Sequence, residues 1–225
     1  MKTKSILLTL GAAMLIFSSC MQGPKGEKAR TGDELSITST EGTEFAVNIS
    51  STQIEWLGSK PGGTHNGTFP IQQGTLNLNS NKIIGGQIVI DMNALTVKDI
   101  EDVKTNQMLV GHLKSPDFFA TDSFPTAKFE IAKVTTLDQA KDIEGIMVTH
   151  NIEGNLTLRG ITRSVTFPAE IKISESSVWA KSPKFVINRT NWKANYGSPS
   201  IFADLKDKFI HDEVALNITL TAEKK

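Results

Sequence analysis

Histidine and cysteine are the residues of this sequence best suited to bind a transition metal, and they are scattered along it. The four histidines form no His-x-His or His-x-x-x-His pair, and Cys20 is the only cysteine. A metal site would therefore need ligands gathered from distant segments. We predict no metal site and expect surface or hydrogen-bonding roles for His65, His112, His150 and His211.

Catalytic patterns are missing as well. No Gly-x-Ser-x-Gly motif marks a nucleophilic serine. The carboxylates Asp99, Glu101 and Asp102 stand before a helical pattern, where acidic residues usually form a solvated face. Arg189 and Trp192 are close enough in sequence to form a cation–π pair, contact a ligand or help to close the fold. We predict no catalytic residue and no enzymatic activity.

Residues 1–20 have the pattern of a bacterial lipoprotein signal. Lysines at positions 2 and 4 precede an apolar run over 6–17 that is too short to span a bilayer. Cys20, at the expected cleavage point, has no partner for an internal disulfide, and lipidation of a new N-terminus explains its position. A plain secretory signal with an incidental cysteine is the alternative. Because Met21 and not Asp follows Cys20, we predict anchoring at the outer membrane, facing the periplasm.

The rest of the chain divides into a tether and one domain. Residues 21–42 are rich in Gly, Lys, Glu, Ser and Thr, which predicts a flexible tether. Residues 43–225 are enough for a single domain with a substantial core. The chain has 24 basic and 24 acidic side chains, and this balance disfavours nucleic acid, which requires clustered positive charge.

Strands that alternate between apolar and polar residues dominate the domain. Examples are Ile88, Ile90 and Met92, and the series from Val165 to Ile173. The pattern recurs about eight times with short turns, which indicates an antiparallel sheet buried on one face. Closing that sheet on itself removes its edges. We predict an all-β fold, an antiparallel eight-stranded barrel; a sandwich stays open, since alternation does not separate the two.

Helical segments are predicted at the ends of the barrel. Residues 93–114 contain apolar residues at helical spacing, and Pro116 blocks continuation. A second, weaker helical turn is predicted over residues 203–209. Phe118, Phe119 and Phe124 follow the first helix, and such a dense aromatic group must be buried. We expect this segment to form a lid across one mouth of the barrel, which His112 helps to order.

Five stretches, in order, resemble the YceI-like family of bacterial periplasmic polyisoprenoid-binding proteins. The resemblance implies an elongated, lipocalin-like barrel whose apolar tunnel holds an isoprenoid chain. The stretches are Trp56-Leu-Gly with His65-Asn-Gly-x-Phe, Gly86-x-Ile-x-Ile-Asp-Met-x-x-Leu, His112-Leu-x-Ser-x-Asp-Phe-Phe with Phe-Pro-Thr-Ala-x-Phe, Glu153-Gly-x-Leu-Thr-Leu-Arg-Gly-Ile-Thr, and Phe185-x-Ile-x-Arg-x-x-Trp.

Site residues follow from the resemblance by position. The family's tunnel and lid would correspond to Ile88, Ile90, Met92, Leu113, Phe118, Phe119, Phe129, Leu156, Leu158, Phe185 and Trp192. The aromatic composition, eleven Phe and three Trp against one Tyr, is consistent with an interior that offers few polar groups.

The prediction is therefore a lipid-anchored carrier or sequestering protein for an isoprenoid lipid, such as a quinone tail or a polyprenyl chain. We expect no cofactor apart from that ligand. Two alternatives remain: a solid-core lipoprotein that presents its surface to a partner, and an isoprenoid-modifying enzyme that uses Arg189 or His112. Whether the chain forms a homodimer stays open.

Overall fold

The computed structural model describes residues 23–38 and 41–225; the predicted signal sequence and Cys20 lie outside them. A single antiparallel sheet organises the described residues, with one α-helix and three 3-10 turns at Met92–Ala94, Arg189–Trp192 and Lys206–Lys208. The elements are β1 (Glu27–Lys28), β2 (Arg30–Gly32), β3 (Thr43–Val47), β4 (Gln53–Lys60), β5 (Gly63–Phe69), β6 (Ile71–Asn79), β7 (Lys82–Asp91), β8 (Thr96–Val97), α1 (Val103–Lys114), β9 (Thr126–Ile143), β10 (Ile146–Leu158), β11 (Ile161–Ile173), β12 (Ser177–Lys181), β13 (Phe185–Asn188) and β14 (Glu213–Lys224).

Eight strands close into a ring, which confirms the predicted barrel. Their order is β12–β11–β10–β9–β7–β6–β3–β14, and β14 pairs again with β12. The C-terminal half of β14 pairs with β3 and β12, while its N-terminal half pairs with β4 and β13. Because the ring is closed, its strands present no continuous free edge to solvent.

The inward face of each strand is set by the register of its neighbours. In β11, Val165, Phe167, Ala169 and Ile171 are buried, and the residues between them are more exposed. Ile152 of β10 stands opposite Phe167, so both strands direct apolar side chains to the interior. A shift of one residue would turn this whole set towards solvent, which is why the alternation specifies the register.

Gly154 lets an aromatic ring lie close to β10. A Cβ atom built on Gly154 would lie 2.6 Å from the ring of Phe129, too close for any side chain. The pairing of β10 with β9 also shifts between Glu153 and Gly154. The glycine therefore allows Phe129 to reach across the inner face of the barrel.

Helix α1 covers one end of the barrel. Its N-cap is Asp102, whose side chain accepts a hydrogen bond from Thr105 N–H (2.8 Å), and it ends at Lys114 just before Pro116. The helix begins later than the periodicity predicted, because residues 96–97 form β8, which pairs with β5. No described helix is both long and apolar enough to cross a membrane.

The helical turn predicted over residues 203–209 is present in a shorter form, as the 3-10 turn Lys206–Lys208. Asp204 and Lys206 have positive φ angles of 62° and 48°, and these left-handed conformations interrupt a right-handed helix.

The predicted flexible tether is contradicted over residues 27–32, which lie in the barrel wall. Strand β1 pairs in parallel with β13, and β2 pairs with β11, so this segment bridges two strands of the barrel. Between them, Ala29 donates a hydrogen bond to Val186 O (3.0 Å) and packs against the core. Composition misled the prediction because backbone hydrogen bonds can add a strand that has few apolar side chains.

Candidate ligand-binding site

Three adjacent cavities occupy the barrel interior and one of its ends. We call them the inner cavity (about 70 Å³), the central cavity (about 100 Å³) and the chamber (about 480 Å³). Phe129 and Phe167 are among the side chains that line both the inner and the central cavity. Phe69, Phe119 and Arg189 line both the central cavity and the chamber. These shared walls place the central cavity between the other two.

The central cavity presents an apolar surface, and Arg189 is the only charged residue among the described residues that line it. Its lining comes from inward-facing residues of several strands, so the alternation that builds the barrel also builds this surface. Phe167 and Phe185 stack on each other in the wall, with ring centroids 4.4 Å apart and planes 8° from parallel. A cavity of this kind stays dry and accepts apolar guests.

Most of the residues predicted from the resemblance line one of the three cavities. Ile88 lines the inner cavity, and Leu113 and Phe118 line the chamber. Whether these side chains contact a ligand stays a prediction. Those that line the central cavity are Ile90, Met92, Phe119, Phe129, Leu156, Leu158 and Phe185.

Trp192 is the exception, because it lines none of the three cavities. Its side chain is completely buried in the core, and its Nε1 donates a hydrogen bond to Leu156 O (3.0 Å). The indole thus holds a 3-10 turn against β10. Sequence position could not distinguish a core ring from a cavity ring, since both are buried and aromatic.

Several lining residues were not singled out from the sequence. Phe167, Ile54 and Leu216 belong to strands whose alternation was recognised, and continuing that alternation inward would have found them. Phe69 ends a stretch that carried the family resemblance, yet its place between two cavities depends on the fold.

The predicted lid closes the chamber end. Phe119 packs edge-on against Phe69, with ring centroids 5.7 Å apart. The ring of His112 lies edge-on between Phe118 (5.1 Å) and Tyr196 (4.5 Å), so it orders the lid as expected. Arg159, in the β10–β11 turn, donates hydrogen bonds to the carbonyl oxygens of residues 116 (3.1 Å) and 118. These contacts attach the lid to the barrel wall.

Arg189 stands at the boundary between the central cavity and the chamber. Its guanidinium is buried and donates hydrogen bonds to His211 O (3.1 Å), Ile210 O (2.9 Å) and Ala194 O. Burial lowers the pKa of Arg189, and the nearby Asp212 carboxylate, 3.6 Å away, opposes this shift. The guanidinium lies 5.6 Å from the ring centroid of Phe118, so the aromatic partner is Phe118 and not Trp192. Its hydrogen bonds give Arg189 a structural role.

Polar side chains distinguish the chamber from the central cavity. Lys60, Lys208 and the three histidines at 65, 112 and 211 contribute to its lining. Ser59 also lines it, and its buried Oγ has no hydrogen-bond partner among the described residues. A buried hydroxyl without a partner is costly, and a polar ligand atom in the chamber could satisfy it.

His65 is fixed by an acidic partner at the edge of the chamber. Its Nδ1 lies 2.8 Å from Asp99 Oδ2, and Asn66 N–H donates to Asp99 Oδ1 (2.8 Å). Burial by itself would raise the pKa of Asp99, but the hydrogen bonds from Asn66 and His65 lower it below its ordinary 3.8. No group of three or more His, Cys, Asp or Glu within residues 23–38 and 41–225 could hold a metal ion.

Comparison with protein families gives a match over most of the domain. A model of the YceI-like domain matches residues 44–222. A UPF0312 protein of Photorhabdus laumondii is 35% identical over 101 residues, which cover 42% of this chain and 48% of that protein. A UPF0312 protein of Staphylococcus aureus is 32% identical over 97 residues, 40% of this chain and 49% of the relative. The chain spans about half the length of the curated relatives it matches.

Two solved structures share the fold. The structure of BcnA from Burkholderia cenocepacia aligns with a TM-score of 0.59 and 18% identity, covering 78% of this chain and 98% of that one. A polyisoprenoid-binding domain from Saccharophagus degradans, implicated in plant cell wall breakdown, aligns with a TM-score of 0.56 and 14% identity, covering 80% and 98%. At these identities the similarity is one of architecture.

Proposed function

The chain belongs to the YceI-like domain family, and from this premise we propose that it binds an isoprenoid lipid and carries or sequesters it without chemical change. The hydrocarbon tail would occupy the central and inner cavities, and the polar end of the lipid would lie in the chamber. The observation that carries this proposal is a cavity with an apolar surface that adjoins, at Phe119 and Arg189, a chamber with polar lining.

An isoprenoid tail suits the central cavity because the tail has no groups that require hydrogen bonds. Each buried CH₂ group contributes about 0.8 kcal/mol, so several isoprene units supply ample affinity without any specific contact. The fold is shared with a domain described as polyisoprenoid-binding, which supports the same class of ligand.

A long tail would reach the inner cavity only by passing Phe129 and Phe167. Both rings line the two cavities and lie 5.8 Å apart, so they narrow the passage between them. We expect these side chains to turn aside when a tail is bound. Their movement would set how much of a polyprenyl chain or quinone tail is accommodated.

The alternatives receive less support. A barrel filled by its own side chains conflicts with the three cavities in and beside its interior. An enzyme that uses Arg189 or His112 would need a free reactive group, but Arg189 is occupied by backbone carbonyls and His112 packs between two aromatic rings. Binding without catalysis is therefore the simpler function.

We place this function at the cell envelope. A lipid on Cys20 would anchor the chain to the outer membrane on its periplasmic side, which favours local handling of the ligand over transport across the periplasm. The sequence pattern of residues 1–20 supports this location.

Mass spectrometry of an organic extract tests the proposal directly. The chain without residues 1–20 retains every described strand and avoids carry-over of membrane lipid with an anchor. We expect close to one isoprenoid molecule per protein, and its head group identifies the cargo. If no isoprenoid is extracted after expression in an isoprenoid-rich host, the proposed function is wrong.

A further inference from the structure

A loop beside the chamber exposes large apolar side chains. Ile201 and Phe202 are 46% and 47% exposed, in the middle of a run of exposed residues over 199–204. Tyr196, which lines the chamber, is 45% exposed. Clusters of exposed apolar residues mark surfaces that bind a partner or a membrane. We call residues 196–209 the rim loop.

The rim loop is held in place at its base, so its tip projects from a defined position. Ile210 N–H donates to Gly197 O (2.8 Å), which joins the two ends of the loop. Ser198 is completely buried, and its carbonyl accepts from Phe202 N–H (3.0 Å). Tyr196 packs on His112 of the lid. The exposed apolar tip is therefore attached to the lid and the chamber wall.

The first described residue lies on the same side of the molecule. A Cβ atom built on Gly23 would lie 3.5 Å from the ring of His211, a chamber-lining residue, and 3.6 Å from the Glu213 carboxylate. Cys20 precedes Gly23 by three residues, and an extended chain spans at most about 3.6 Å per residue. A lipid on Cys20 would therefore attach within about 11 Å of this point.

Lysines beside the exposed tip also suit a lipid surface. Lys206 and Lys208 lie in the rim loop, where Asp204 and Asp207 balance them in number, and Lys60 lines the chamber together with Lys208. Long lysine side chains can extend towards phosphate groups while apolar neighbours enter the interface. Tyrosine is also a common residue at membrane interfaces.

From these observations we propose that the rim loop touches the lipid bilayer and that the chamber opens towards the membrane. The proposal rests on the proposed function, since it gives an isoprenoid a direct path from the bilayer into the chamber. The occupant of the surface is a lipid bilayer because Gly23, from which the anchor would extend, and the exposed apolar tip both lie beside chamber-lining residues.

Fluorescence quenching by lipid tests this orientation in the full-length protein. Cys20 is the only natural cysteine, so its lipidation leaves an introduced cysteine as the single site for a thiol-reactive, environment-sensitive fluorophore. Phe202→Cys places the label on the rim loop. The protein is reconstituted into phosphatidylcholine and phosphatidylglycerol vesicles, with and without brominated acyl chains.

Met147→Cys is the matched control. Met147 is 46% exposed, almost the same as Phe202. It lies near the start of β10, about 35 Å along that strand from Leu158, which lines the central cavity. We expect brominated lipid to quench the label at position 202 at least twofold more than the label at position 147.

Other outcomes overturn the orientation. Equal quenching, stronger quenching at position 147, or no quenching at either position contradicts it. A blue-shifted label at position 202 that brominated lipid does not quench would assign the rim loop to a protein partner. If the protein without an introduced cysteine takes up the label, Cys20 is unmodified and the lipid anchor is absent. Weak quenching at position 202 in that case also counts against the proposal.

The proposed function is measured separately in the same preparations. If position 202 is quenched but no isoprenoid is extracted, the orientation stands and the proposed function fails. If isoprenoid is extracted but position 202 is not quenched, the proposed function stands and the orientation fails. In addition, the double variant Ile201→Ser/Phe202→Ser should load isoprenoid from vesicles several-fold more slowly with unchanged final occupancy, whereas Met147→Ser should load normally. Equal loading rates would contradict the proposal.

Discussion

The central cavity and the chamber are neighbours that share four wall residues, yet they differ in chemistry and in construction. The central cavity is lined mainly by inward-facing apolar strand residues, and Arg189 at its boundary is its one charged lining residue among the described residues. The chamber is lined by the lid, the rim loop and the β4–β5 hairpin, and it contains histidines, lysines and the unpaired hydroxyl of Ser59.

This difference suggests that the two regions bind different parts of the ligand. Strands repeat one apolar surface and can hold a chain of CH₂ and methyl groups without directional contacts. Loops and helix ends supply polar groups in varied geometry, as a head group requires. We therefore expect variants in the central cavity to affect every isoprenoid alike, and variants in the chamber to depend on the head group.

Arg189→Met should have the largest effect, because it removes the residue that stands between the two regions. The variant leaves three carbonyl oxygens without their donor and the Asp212 carboxylate buried without its counter-ion. We expect the free energy of unfolding to fall by about 3–5 kcal/mol in urea denaturation. Arg163→Met, which removes an exposed ion pair with Asp33, should change it by less than about 1 kcal/mol. Similar values for both variants would show that the boundary does not depend on Arg189.

Phe129→Asp tests the central cavity. A carboxylate in this apolar wall should lower the amount of co-extracted isoprenoid at least tenfold for any head group, while far-UV circular dichroism still reports a β protein. Phe118→Asp, in the chamber, should lower it less. Trp179→Asp is the control, because Trp179 is partly buried like Phe129 but lines none of the three cavities and lies outside the rim loop. Unchanged lipid content in both cavity variants would exclude the proposed site.

Ser59→Ala tests the chamber. In the ligand-free protein, removal of a buried hydroxyl without a partner should leave stability unchanged or raise it by up to about 1 kcal/mol. Affinity for a lipid with a polar head group should fall by about 1 kcal/mol, whereas affinity for a plain isoprenoid hydrocarbon should not change. Titration calorimetry or fluorescence displacement with both ligand types measures this difference. An equal loss for both ligands would contradict a head-group role for the chamber.

Asp99→Asn should have the smallest effect, at the polar edge of the chamber. The pKa of Asp99 is lowered in the folded protein, so its contribution to stability is present above 3.8 and is lost as the pH falls through the lowered value. We expect the free energy of unfolding at pH 7 to fall by about 0.5–1 kcal/mol, and this difference from wild type to shrink as the pH is brought below 3.8. Glu101→Gln, an exposed change in the same acidic run, is the control. A difference from wild type that persists undiminished at low pH would assign the effect to something other than charge.

Much of the barrel was predictable because alternation is a local property. The alternation of apolar and polar residues in 165–173 and 88–92 predicts a buried face, and the register follows from keeping that face inward. The N-terminal strands were missed because residues 27–32 join the barrel through backbone hydrogen bonds, which leave no mark on composition. The helical turn over 203–209 is shorter than predicted because Asp204 and Lys206 have positive φ angles.

The candidate site was only partly predictable for a related reason. Ile90, Phe129 and Leu156 line the central cavity because inward direction follows from strand position, and their contact with a ligand stays a prediction. Trp192 fills the core instead, since burial alone does not say whether a side chain packs against protein or faces a cavity. The chamber was not predicted, because its polar groups come from segments as distant as Ser59, His112 and Lys208.

By itself, the sequence determined an all-β fold of antiparallel strands, one helix and an aromatic segment after it, because periodicity and proline act over a few neighbouring residues. Only the tertiary structure decided that the interior contains cavities, that Arg189 is tied to backbone carbonyls, and that Gly23 and the rim loop lie on the chamber side. The presence of cavities and the distances between remote segments depend on how the strands of the closed barrel pack against one another. No local sequence pattern encodes the space that this packing leaves.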